Sequence, residues 1–93
     1  MNFLHYRLDA NAGDVVEVTL DRAANVQLLD PSQFEKYRNR RTYRYYGGHA
    51  TRSPCRIEVP RTGPWHLVID LGGAAGTVRA SFRLLPASTG AAT

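Results

Sequence analysis

Residues Gly63–Gly73 constrain the fold more than any other stretch of the chain. They read Gly-Pro-Trp-His-Leu-Val-Ile-Asp-Leu-Gly-Gly. Trp65, Leu67, Ile69 and Leu71 share one face and His66, Val68 and Asp70 the other, because successive side chains of a strand project to opposite sides. The first face is the most apolar stripe in the protein. The spacing predicts a strand near the middle of the core.

The same alternation recurs along the chain. Phe3–Leu8 sets Leu4, Tyr6 and Leu8 against Phe3, His5 and Arg7. Val15–Leu20 turns Val16, Val18 and Leu20 inward, and Ala24–Leu29 turns Val26 and Leu28 inward with Asn25 and Gln27 outward. Short links joining these three predict an antiparallel meander. Arg41–Tyr46 reads as a further strand ended by a turn at Gly47-Gly48-His49. Cys55–Val59 and Thr77–Leu85 complete the set, the latter entered through a loose hairpin loop at Gly72–Gly76.

The period changes once. Asp30-Pro31-Ser32-Gln33 has an N-cap acid, a proline at the first helical position and a glutamine placed to close a capping box. Phe34 and Tyr37 are three apart and can dock on a sheet, which leaves Glu35, Lys36 and Arg38 in water. About two turns fit, over about 31–39. Strands with one apolar face must pack sheet on sheet or close on themselves. The expectation is an all-β fold: a small antiparallel β-sandwich or partly open barrel of six to seven short strands with one short helical insertion. Residues 1–86 form a single β domain and 87–93 a disordered tail.

Ninety-three residues suffice for one modest core. No apolar run is long enough to span a membrane, and no leader is visible at Met1–His5. Cys55 is the single cysteine, so no internal disulfide forms and a reducing, cytoplasmic setting is expected. Charge is unevenly spread. Lys36–Arg61 carries eight basic residues against Glu58 alone, a net of +7, while the remainder of the chain nets −3. Such asymmetry points to an anionic partner or to self-association, and plain solubility is the simpler reading.

Within that segment Lys36, Tyr37, Arg38, Arg40, Arg41, Tyr43, Arg44, Tyr45, Tyr46, Gly47, Gly48 and His49 are the candidate partner-binding residues. Arginines grip phosphate or carboxylate in a bidentate way, and tyrosines stack on bases or anchor interfaces. The two glycines could form a backbone nest for an anion, or simply a turn. Cys55 alternates inward like a small hydrophobe and lacks a placed base. His5 and His66 share an outer face and would make half a metal site if their strands were neighbours. No zinc-type spacing supports one, and exposed strand histidines are the plainer reading. The aspartates lack calcium-loop spacing, and no phosphate-binding loop is present. No catalytic residue, metal or cofactor is expected.

Residues 1–86 also resemble a small family of bacterial domains of unknown function, DUF1883. The likeness is carried by Gly13–Val18, Ala24–Asp30, Phe34 with Tyr37, Tyr46-Gly47-Gly48, Ser53-Pro54 and Gly63–Gly72. The resemblance implies a compact, mostly β domain that occurs alone or beside a TIR signalling domain, and it implies no activity. A weaker likeness is to accessory β-sandwiches appended to secreted bacterial enzymes. The reading is therefore a non-enzymatic interaction module that presents an Arg/Tyr-rich insertion to a protein or anionic ligand. Nucleic-acid or nucleotide binding through the same patch is the alternative, and a small enzyme ranks last. A monomer or weak homodimer is expected, without a membrane partner.

Overall fold

The computed structural model describes residues 3–73 and 75–87. In chain order it contains β1 (Phe3–Ala10), β2 (Val15–Leu20), β3 (Ala24–Leu29), α1 (Pro31–Arg38), β4 (Tyr46–Ala50), β5 (Cys55–Glu58), β6 (Gly63–Asp70) and β7 (Ala80–Leu85). The strands form two antiparallel sheets, one ordered β1-β6-β3-β4 and the other β5-β2-β7. Neither is a closed barrel, and the open sandwich is the version of the expected fold that the chain adopts.

The apolar faces meet between the sheets. Val16, Val18, Val26, Leu28, Val59, Leu67 and Ile69 are fully buried there, and Trp65 nearly so. Leu4, Tyr6 and Leu8 of β1, Cys55 of β5, and Ala80, Phe82 and Leu84 of β7 pack around them. β6 is an interior strand, held by β1 on one side and β3 on the other. This is the central place its stripe predicts.

The meander does not form. β1 pairs with β6, β2 with β5 and β7, and β3 with β6 and β4. Short links could join neighbours in one sheet, but here they carry the chain from one sheet to the other. For the same reason the β6–β7 connection is a crossing between sheets and not a hairpin. Its residue Ala74 lies outside the described residues.

A second correction concerns β4. The strand is Tyr46–Ala50, not Arg41–Tyr46, and Gly47, Gly48 and His49 pair with Gln27, Val26 and Asn25. A Cβ on Gly47 would run into the carbonyl of Val26 and the side chain of Ile57. The glycine therefore serves close approach within a strand, so neither the turn nor the anion nest is formed. At the C-terminus, Ala87 is tied down by its N–H, which donates to Oδ1 of Asp14 at 3.0 Å. The rest of the expected tail, 88–93, lies outside the described residues.

α1 covers the outer face of the four-stranded sheet. Asp30 caps it by accepting from the Gln33 N–H at 2.8 Å. Phe34 and Tyr37 are buried against Leu29 and Val68, with Phe3 and Tyr43 at the margin. Burial of one such ring contributes roughly 2 kcal/mol. The polar-looking face of β6 and β3 is thus a second, smaller core, and Gln27 and Asp70 are buried within it.

Candidate functional site

The Arg/Tyr-rich segment leaves α1 through a tight helix end. Asn39 is the C-cap, and Arg40 follows in the left-handed region with φ 58°. The Arg40 N–H donates to the Tyr37 carbonyl at 3.2 Å and the Arg41 N–H to the Lys36 carbonyl at 2.9 Å. That pair of bonds is the Schellman motif, whose left-handed position glycine usually fills. Arg40 is the one non-glycine residue with positive φ among the described residues.

Beyond the helix end, Arg41–Tyr45 has no regular structure and is held by side chains. The Arg44 N–H donates to Oε1 of Gln33 at 2.7 Å. Tyr43 donates its hydroxyl proton to Oε1 of Gln27 at 3.0 Å and sets its ring edge-on to Tyr37, centroids 5.2 Å apart. Gln33 therefore reaches forward to the insertion instead of back to its own cap, and the expected capping box is only half made. Tyr45 leans on Tyr43 at 5.6 Å, and Tyr46 meets Trp65 edge-on at 5.9 Å.

The candidate residues consequently divide. Arg40, Arg41, Arg44, Tyr45, Tyr46, Gly47 and His49 are exposed. Tyr45 and Tyr46, 45% and 44% accessible, are the large exposed hydrophobics among the described residues. Arg40, Arg41 and Arg44 form no ion pair among the described residues. Tyr37 is buried core, Tyr43 is a half-buried anchor, and Lys36 and Gly48 are half-buried. Arg38 pairs with Glu35 at 3.5 Å and lies over the Phe34 ring, which gives it local work on the helix.

Beneath the insertion Asp70 gathers three donors: Tyr37 Oη at 2.8 Å, Asn25 Nδ2 at 2.9 Å and the Gly72 N–H at 2.8 Å. Asn25 Oδ1 in turn lies 3.2 Å from Nδ1 of His49 on β4. Burial, and then the bond to Asp70, push the Tyr37 phenol far above its usual range. Burial likewise raises the Tyr43 phenol and the Cys55 thiol. A thiol raised by burial is a poor nucleophile at neutral pH.

His5 and His66 are brought together, since β1 and β6 are neighbours. They are half-buried under α1, not exposed. His5 Nε2 and His66 Nδ1 are 2.7 Å apart, so they bond to one another. No cluster of three or more metal-ligating side chains is found among the described residues. On the opposite side of the molecule, Glu17 of β2 bonds Arg83 at 2.6 Å and Arg56 at 2.9 Å.

The profile of the family described as Domain of unknown function (DUF1883) matches residues 1–88. The chain belongs to this family. Comparison with the curated proteins and with the solved structures returns no match.

In this DUF1883 domain the residues that sequence reasoning passed over are Gln27, Gln33 and Asp70, which fix the insertion from below. A signal for two of them was present: Gln27 and Asp70 share the outward faces of their strands with the apolar Leu29 and Val68, so those faces are not wholly polar. Burial on both faces demands that such groups find partners, and no buried side-chain polar atom among the described residues lacks one. No helix among them is long and apolar enough to cross a membrane.

Proposed function

We propose that this domain is a non-catalytic recognition module, with Arg40, Arg41, Arg44, Tyr45 and Tyr46 as the contact residues for a protein partner or an anionic ligand. The observation that carries this reading is Arg40. Its backbone position favours glycine, and a side chain there costs about 1 kcal/mol. A cost borne at a helix end, beside two further arginines that form no ion pair among the described residues and two exposed tyrosines, is typical of a surface kept for binding. The anchors at Gln33 and Gln27 support it, because a surface fixed in advance loses less conformational entropy on association.

Nucleic acid is the second reading, favoured by the interleaving of exposed rings with arginines. Fluorescence anisotropy separates the two, with a labelled poly-glutamate peptide and labelled single-stranded RNA and DNA at about 50 and about 200 mM salt. The triple variant Arg40/Arg41/Arg44→Glu leaves Arg38 in its helix contacts. It is expected to lose at least about tenfold in affinity for the anionic probe that binds. A fall of log affinity with log salt of about −0.7 per contact on single strands selects the nucleic-acid reading. Absence of binding to every probe at the lower salt removes the anionic ligand, and a neutral protein surface is then the remaining target.

A further inference from the structure

The two histidines under α1 form an arrangement that has no part in the binding surface itself. The imidazoles of His5 and His66 lie nearly coplanar, 17° between planes, and joined edge to edge by the 2.7 Å contact. Phe34 of α1 lies flat over both, with centroids 4.2 Å from His5 and 4.3 Å from His66. A bond between two imidazole nitrogens needs a proton on one and a lone pair on the other. Two neutral rings satisfy this, as do one neutral and one charged ring. Two charged rings do not, because both nitrogens then carry hydrogen and both rings a positive charge.

We propose that His5 and His66 act as a lock on α1, holding the helix and the insertion in place while at least one of the two rings is neutral and releasing both when the two rings are imidazolium cations. As regulation of a binding surface this rests on the function proposed above; the lock itself does not. The link to the insertion is direct. The helix that Phe34 seats also carries Gln33, which holds Arg44, and Tyr37, which supports Tyr43.

The surroundings oppose the second charge. Arg7 lies on β1 beside His5, and Arg38 on α1, while Leu29 and Gln27 on β3 contribute no charge. Asp30 at the helix start is the one nearby acid that favours a charged His66, and it is engaged by Arg61 at 2.6 Å. Asp70, further along β6, is occupied by Tyr37. Burial first, and then these cations and the partner ring, hold both imidazoles below their usual range. Unfolded, each binds its proton near the ordinary value of about 6.5. The stability the neutral pair provides is complete above that value and is lost as pH falls through the lowered range.

The test is an NMR titration of the full chain, which follows the imidazole nitrogens together with amide hydrogen exchange corrected for its intrinsic pH dependence. Expected are two coupled steps, the second well below the first. With the second step, the amides of Tyr37 and Arg44 should exchange at least about tenfold faster while Val16 and Val18 of β2 stay protected. His5→Gln and His66→Asn each leave a single ring facing an amide, and should abolish that acceleration. Independent titration of the two rings at ordinary values overturns the lock, as does unchanged exchange at Tyr37 and Arg44, or simultaneous loss of protection in β2. If either variant fails to fold, the wild-type titration decides alone. No ligand enters this readout, so it stands or falls separately from the binding measurements at neutral pH.

Discussion

The hydroxyl of Tyr37 donates to Oδ2 of Asp70 at 2.8 Å, joining the helix to the interior strand of the four-stranded sheet. Tyr37→Phe keeps the ring in place and removes one buried bond, while Asn25 and Gly72 still serve the carboxylate. The expected loss is about 1–2 kcal/mol. Asp70→Ala strands three donors and should cost about 3 kcal/mol or more. Urea unfolding of both variants at neutral pH measures the difference.

Arg40→Gly should change stability and binding in opposite directions. Glycine relieves the left-handed backbone at the helix end and is expected to add about 1 kcal/mol. If the proposed contact surface is correct, the same substitution weakens binding of the anionic probe several-fold. Thermal unfolding and anisotropy on one preparation check both signs, and unchanged affinity would count against Arg40 as a contact residue.

The two glycines of β4 should differ. Gly47→Ala places a methyl against the Val26 carbonyl and Ile57 at φ 118°, and is expected to cost about 2–3 kcal/mol. Nothing lies within 4 Å of a Cβ on Gly48, so Gly48→Ala should cost less. The ordering of the two urea midpoints is the measurement.

Glu17 supplies a second pH dependence, at lower pH than that of the histidines. Its bond to Arg83, and next that to Arg56, hold its carboxyl below the usual range, against burial. The stabilisation is present above the ordinary carboxylate value and disappears as pH falls through the lowered one. Wild type should therefore exceed Glu17→Gln in urea midpoint at neutral pH, and the gap should close in acid. A gap that persists unchanged at pH values where carboxylates are protonated would show that the ion pairs are not its source.

Much of the architecture was legible because it rests on period. Alternation placed the inward residues of β1, β2, β3, β5 and β6, and the Asp30-Pro31 signal placed the start of α1. Pairing was not legible, since a short link looks the same whether it joins neighbours in a sheet or crosses between sheets. The Gly47-Gly48 error has a related cause. Glycine marks turns by its freedom and tight strand contacts by its size, and only the presence of Val26 and Ile57 decides between them. In the candidate site, the exposed arginines and tyrosines stood out by composition. The division of Tyr37 and Tyr43 from Tyr45 and Tyr46 did not, because it depends on which strand face α1 covers.

The crossing of the chain between sheets at every strand-to-strand link except β3–β4 also bears on how it is made. Phe3 pairs with Asp70, and β2 lies between β5 and β7, so the first two strands to leave a ribosome meet their partners only in the second half of synthesis. The early half of the chain must wait with its apolar stripes uncovered until β6 emerges. Non-local pairing of this kind slows folding and exposes strand edges to other chains. Truncation before residue 70 would therefore give an aggregation-prone fragment, not a smaller version of the domain.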